Sequence, residues 1–515
     1  MDLTPTWTRA GSWTLGRDPL GIQATSVRMY RNLVPGLTNV TNRLRYYSFY
    51  CWVIDRYEAT EHSGDDMKWR KFIRRAEAFY ALACNLADPE TADGLAGNIW
   101  ARRALKEIVE GPFDVRPVTD FHSGVQQYLS AKRGNFGQFY IASMTDESFL
   151  APSTGIPIVS EDRGRKAAAY FIESVGEAAD ELLLGIREGV LPVGTLRQIG
   201  TVIHPSKIPS ASNEMELLRS FLLSQNDETR SGKARRASCW LLLDLIAKGV
   251  AADDEKAMRR AFYNRVLPDG TMYVPSGTTA ELWQAYQANE FCHIALEAIL
   301  NALVSRLRRK PTGEDPDTLI AETIEPILRA SDADAVSWEE WATEIGIANA
   351  GNEDGLAEPI LIALQDPTLA EDQPVLESAI ALLAVLWTSW GSSEEGVHEA
   401  VGRHAGKGGR SLSGVIRTFD GEAKLPTLRA VTQAIRRHVV SDHLAIAGRK
   451  LAASGTFTYH FTSADGVLAD GQIASYGYTN PRLRNLVRFM NDAGLYDSSG
   501  VTAVGKEFVH ECQPV

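Results

Sequence analysis

The sequence predicts a mainly α-helical, multi-lobed protein with minor β content and a C-terminal winged helix-turn-helix-like domain. Three observations lead there. Apolar residues recur at helical spacing through most of the chain. Proline, glycine and acidic stretches interrupt that pattern and divide the chain into lobes. The final stretch reads as helix, small hairpin and helix in that order. The expected lobes are an N-terminal helical domain (1–210), a second helical domain (211–310), an acidic linker with a helical segment (311–425) and the winged-helix-like domain (426–515).

The chain has 515 residues, room for about two to four domains and a large core. Its 44% hydrophobic and 23% charged content is that of an ordinary globular protein. A net charge of −12 excludes a general nucleic-acid coating protein, so any DNA contact needs basic residues gathered into patches. Five cysteines stand singly, without C-x-x-C spacing. That argues against a zinc site and fits reduced thiols, and neither metal nor cofactor is expected. The N-terminus Met1–Pro5 lacks the apolar region of a signal peptide. The longest apolar run, around Ala379 to Trp390, is too short to cross a bilayer. No membrane partner and a cytoplasmic location are therefore expected.

The first residues, with Gly11, Gly16, Pro19 and Gly21, read as an extended lead-in to the stretch around which the chain is organised, Val34 to Trp52. There the Pro35-Gly36 turn is followed by Thr38, Asn39 and Thr41, which are capping residues, and then by a helix from about residue 40 to 60. Arg43 and Arg45 fall in its first turns. A helix start carries partial positive charge and disfavours each cation by roughly 0.3–1 kcal/mol, so both need negative partners. These are either carboxylates of the protein itself or a bound anion such as phosphate.

A helix over about 68–86 follows, then a basic, glycine-spaced loop, Lys132 to Tyr140, in which Arg133 is a candidate phosphate contact. The pattern is helical again over 164–188. His204-Pro205 and Ile208-Pro209 mark a boundary near residue 210, beyond which helices are expected at 213–224, 234–248, 257–266 and 279–309. Arg306, Arg308, Arg309 and Lys310 suit a helix C-terminus. Residues 311–370, rich in Asp, Glu, Gly and Pro, with Trp338 and Trp341 on a short helix, read as a linker or surface excursion between lobes. A buried helix spans 375–390. The loop Gly402 to Arg410 lacks the spacing of a phosphate-binding P-loop, which disfavours a nucleotidase, but its Arg403, Lys407 and Arg410 could meet a nucleic-acid backbone. A long helix starts at Pro426 and ends at Gly455, before a strand at 456–461. Asn480 and Pro481 start a helix over 482–492, where Arg482, Arg484 and Arg488 occupy the front of a recognition helix.

No strong catalytic signature is present. His438 and His443 are five apart and do not share a helix face. Asp420 to Lys424 holds a Glu-x-Lys triplet without the upstream Asp of a nuclease. A DNA glycosylase needs fewer parts: one Asp, Glu or Asn to serve the sugar or water, and aromatic rings to hold an extruded base. The first lobe contains Asp18, Asn39, Asn42 and Asp55 beside Tyr46, Tyr47, Phe49, Tyr50 and Trp52.

The run Pro-Gly-Leu-Thr-Asn-Val-Thr-Asn-Arg-Leu-Arg-Tyr-Tyr-Ser-Phe (35–49), with the terminal winged-helix-like pattern, resembles large bacterial proteins found near restriction and phage-defence genes. It is similar to the phage-defence DNA glycosylases that remove glucosylated hydroxymethylcytosine. The resemblance implies antiviral defence directed at DNA, and carries over no catalytic residue. The leading expectation is a glycosylase excising a modified base, with Arg43 and Arg45 gripping phosphate, Tyr46 or Tyr47 stacking, and Asn39, Asn42 or Asp55 serving the sugar or water. The alternative is a non-catalytic DNA-binding or sensor subunit; a third reading is a structural assembly component.

Overall fold

The computed structural model describes residues 18–37, 43–61, 63–106, 110–120, 131–224, 229–275, 278–330, 333, 336–391, 397–479 and 482–512. Across these the protein is mainly helical, and its strands form four two-stranded antiparallel sheets of two or three residues a strand. No helix among the described residues is long and apolar enough to cross a membrane.

The chain divides into two compact units, neither of them a single run of sequence: residues 1–31 with 259–481, and residues 32–258 with 482–515. The expected boundary near residue 210 is not a unit boundary. The helix Asn213–Leu222 belongs with the motif, because its Glu214 is the partner of Arg45. Residues 426–515 are likewise divided, between Pro481 and Arg482. The long helix and first hairpin fall in one unit, and the last two helices with their hairpin in the other.

In the unit of residues 32–258 and 482–515, the motif helix Tyr46–Glu61 is buried on every side from Tyr46 through Asp55, where its residues are mostly apolar. It packs against Arg163–Val175, while Asp66–Ala87 packs against Val193–Ile203. The second crossing needs a glycine, since a Cβ on Gly200 would lie 2.0 Å from the Ala83 carbonyl oxygen. Tyr46, Phe49, Tyr50, Tyr80 and Tyr140 form one aromatic cluster, with Tyr46 and Tyr50 stacked at 5.1 Å.

The 132–140 loop is not open. Phe136–Tyr140 is a π-helical turn held by the buried carboxylate of Glu77. That carboxylate accepts the Asn135 and Phe136 backbone N–H groups at 2.9 and 2.7 Å, and the Tyr50 hydroxyl at 2.9 Å.

The other unit is built around the 30-residue helix Thr278–Leu307, buried over most of its length and packed against Glu353–Gln365 and Gln373–Trp390. Residues 311–370 are not a linker. They hold the helices Pro316–Ala330, Trp338–Ala348 and Glu353–Gln365, the second started by a Ser337/Glu340 capping box. Trp338 is fully buried and stacks on Phe419 at 4.0 Å. The acidic composition concealed apolar residues at helical spacing, such as Leu319, Ile320, Ile324, Ile327 and Leu328, all buried.

The long helix begins at Thr427, behind Pro426, passes through a π-helical turn at Arg436–Ser441 and ends at Gly455 with φ of 68°. The strand expected at 456–461 is absent, and the hairpin pairs Thr462–Ala464 with Val467–Ala469 instead.

Candidate nucleic-acid interface

Both motif arginines are spent inside the protein. The Arg43 guanidinium makes a fork with Asp492, donating from Nε at 3.0 Å and from NH2 at 2.8 Å, and donates from NH1 to the carbonyls of Thr91 and Asp93. Burial works against its charge and Asp492 outweighs it, so its pKa is raised. Arg45, fully buried, forks onto Glu214 at 3.0 and 2.8 Å and also donates to the carbonyls of Val202 and His204. The Leu44 N–H adds a bond of 2.9 Å to Asp492. The start of the motif helix does bind anions, as its dipole requires, but they are the protein's own carboxylates. The phosphate grip assigned to Arg43 and Arg45 is therefore corrected to internal ion pairing.

The same burial removes the base platform. Tyr46 and Tyr47 are wholly enclosed; the Tyr46 hydroxyl accepts the Ala96 N–H at 2.9 Å, and the Tyr47 hydroxyl is 2.6 Å from Ser143 Oγ. The Asp55 carboxylate, placed at the sugar in the glycosylase reading, is held by Arg56 at 2.5 Å and Arg165 at 2.8 Å. Asp18 is occupied as well, accepting the N–H groups of Gln23 and Ala24 at the start of a helix. Asn39 and Asn42 lie outside the described residues.

Of the loop cations, Arg133 pairs with Asp66 at 2.8 Å, Arg403 with Glu399 at 3.1 Å and Arg410 with Asp442 at 2.7 Å. The Lys407 side chain is outside the description. Arg235 is buried within the helix Arg230–Ala247 and paired to Glu147 at 2.6 Å.

The C-terminal basic helix differs. It runs Leu483–Asp492, after Arg482 in the left-handed conformation (φ 61°), and so begins later than the Asn480-Pro481 signal suggested. Asn480 and Pro481 are outside the described residues. Leu483, Leu486, Val487, Phe489 and Met490 are buried. Arg484 and Asn491 are exposed and Arg488 is half-buried, and the three follow one another at i, i+4 and i+7 along the outer face.

The guanidinium of neither Arg484 nor Arg488 makes a hydrogen bond or ion pair among the described residues. Burial first, and then the neighbouring Arg43 charge, push the Arg488 guanidinium below its ordinary pKa, with Asp492 acting the other way. Arg482 is turned inward toward the Val34 carbonyl at 3.5 Å. Behind the helix come the hairpin Tyr496–Asp497/Gly500–Val501 and the helix Ala503–Glu511, and Arg230–Ala247 packs against all three.

Sequence reasoning passed over a second polar feature, in the other unit. Gln287, Glu290, His293, Glu297 and Asn301 recur along the helix Thr278–Leu307 and are all buried. The extended segment 470–479 covers them. Thr479 donates to Glu290 from its N–H and, at 2.9 Å, from its hydroxyl, while Asn301 donates to the Ala474 carbonyl at 3.0 Å. His293 Nε2 lies 2.9 Å from Glu297 Oε1, within ion-pair distance. Burial, against the pull of His293, raises the Glu297 carboxyl. The signal was available: polar residues three or four apart in an otherwise apolar helix. Among the described residues no group of His, Cys, Asp and Glu is arranged to hold a metal ion. Comparison of the chain with protein-family models, with curated proteins and with solved structures returns no match.

Proposed function

We propose that the protein is a DNA-binding or sensor component of an antiviral defence system, and that its DNA contact is made by the helix Leu483–Asp492. The observation that carries this reading is the pair Arg484 and Arg488: two guanidinium groups without a carboxylate partner among the described residues, on the outer face of a helix whose other face is core. Guanidinium forks suit phosphate and the O6/N7 edge of guanine, while the Asn491 amide on the same stripe donates to the Tyr496 carbonyl at 3.1 Å. The helix, its hairpin and the terminal helix follow the order of recognition helix and wing in a winged helix, with Arg230–Ala247 as support. The acidic body, at −12 overall, favours contact confined to such a patch. The defence setting rests on the likeness of residues 35–49 to phage-defence proteins.

The sensor reading is preferred to the glycosylase because Tyr46, Tyr47 and Asp55, the described residues named for base extrusion and chemistry, are engaged in core contacts or ion pairs. Fluorescence anisotropy with labelled duplex DNA across a salt series tests it. Arg484→Ala with Arg488→Ala is expected to weaken binding at least about tenfold and to lower the salt slope by about two. Absence of wild-type binding at about 50 mM salt, or unchanged binding by the double variant, overturns it. Alkali-labile sites after incubation with glucosylated hydroxymethylcytosine DNA would return the assignment to the glycosylase.

A further inference from the structure

Asp492 stands one helical turn beyond Arg488, at the i, i+4 spacing where an arginine and a carboxylate ordinarily pair on a helix. Here they do not. Asp492 is buried and its carboxylate is occupied from the motif side: Oδ1 accepts Arg43 NH2, and Oδ2 accepts both Arg43 Nε and the Leu44 N–H. The other charges that act on Arg488 are Arg484, Arg43 and Asp93, and Asp93 is itself within 3.3 Å of Arg102. Arg43 also ties the last turn of the helix to the carbonyls of Thr91 and Asp93, and it offsets the penalty of an acidic residue at a helix C-terminus.

We infer that Arg43 is a positioning residue for the DNA contact: by saturating Asp492 it leaves Arg488 without a carboxylate partner among the described residues and available to DNA. The conspicuous arginine of the 35–49 motif then acts on nucleic acid through the C-terminal helix, without touching it. This rests on the reading of Leu483–Asp492 as the DNA-contacting helix.

The test is a set of variants of the full chain, read by anisotropy with a labelled duplex over a salt series. Arg43→Met frees the Asp492 carboxylate to take Arg488. Affinity should fall at least about fivefold, and the salt slope by about one phosphate contact. Adding Asp492→Asn to Arg43→Met removes the competing carboxylate and should bring affinity back to within about threefold of wild type. Asp492→Asn also relieves a buried unpaired charge, so affinities are compared at a temperature where every variant is fully folded by circular dichroism. A merely structural Arg43 would show no loss of affinity there to rescue. Should Arg43→Met fail to fold, Arg43→Lys serves instead. Its single ammonium cannot cover both oxygens, so a smaller loss, again rescued by Asp492→Asn, is expected. Full affinity in Arg43→Met, or a loss in either Arg43 variant that Asp492→Asn leaves unrepaired, overturns the inference. If wild type binds DNA through Arg484 and Arg488 but ignores Arg43, only this inference fails; if wild type does not bind, both readings fail.

Discussion

Replacing Arg45 with methionine separates a structural motif from a DNA-gripping one. The side chain and its partner Glu214 are each 0% exposed. Loss of the guanidinium leaves Glu214 buried, with Ser48 Oγ at 2.6 Å as its remaining side-chain donor. Breaking such a pair from one side costs about 3–5 kcal/mol, because an uncompensated charge stays in the interior. A domain has only about 5–15 kcal/mol in all. For a unit of this size each kcal/mol moves the thermal midpoint by about 2–4 °C, so Arg45→Met should melt roughly 6–20 °C below wild type. Combining it with Glu214→Met removes both charges and should recover at least about 2 kcal/mol relative to the sum of the single changes. Scanning calorimetry on the four proteins gives the cycle. The reasoning is refuted if Arg45→Met melts within about a degree of wild type while DNA binding is lost, since that is how an exposed phosphate contact behaves.

Two further outcomes follow from the same core. Gly36 has φ of +75°, and a Cβ there would fall 1.7 Å from Glu147 Oε1, inside the Glu147–Arg235 pair. Gly36→Ala should therefore cost at least about 2 kcal/mol, seen as a lowered urea midpoint; a neutral effect would mean that the turn is not the floor of that pair. Burial holds the Glu77 carboxyl at about 7 instead of 4.5, against the hydrogen bonds from Asn135, Phe136 and Tyr50. The folded state thus holds the proton more tightly than the unfolded chain. This group's contribution is complete below pH 4.5 and is lost as the pH rises through about 7, a change of about 3 kcal/mol. Urea midpoints measured across that range should fall in wild type relative to Glu77→Gln, and parallel curves would exclude the assignment.

Much of the helical layout was legible because it is encoded locally. The helix expected at 68–86 is found at Asp66–Ala87, and the one expected at 375–390 at Gln373–Trp390. Pro426 and Gly455 bound the long helix as their backbone preferences require. Residues 311–370 were misread because composition averages over a segment, whereas burial depends on which face each residue occupies. The site was legible only as a choice. Arg43 and Arg45 evidently needed anions, but their carboxylates lie 449 and 169 residues away, and no local pattern points to them. That Arg484 and Arg488 have no carboxylate partner among the described residues was hidden for the same reason, since a sequence displays charges and not their neighbours.

By itself, then, the chain determined where helices start and stop, which of their faces are apolar, and that positive charge at the head of the motif must be answered. Only the tertiary structure decided what answers it and which cations remain unanswered. Helix signals act over a few residues, through backbone conformation and side-chain spacing. Pairing and burial of a charge depend on groups that the fold alone brings within a few ångströms, where the cost of leaving water makes an internal carboxylate a necessary partner.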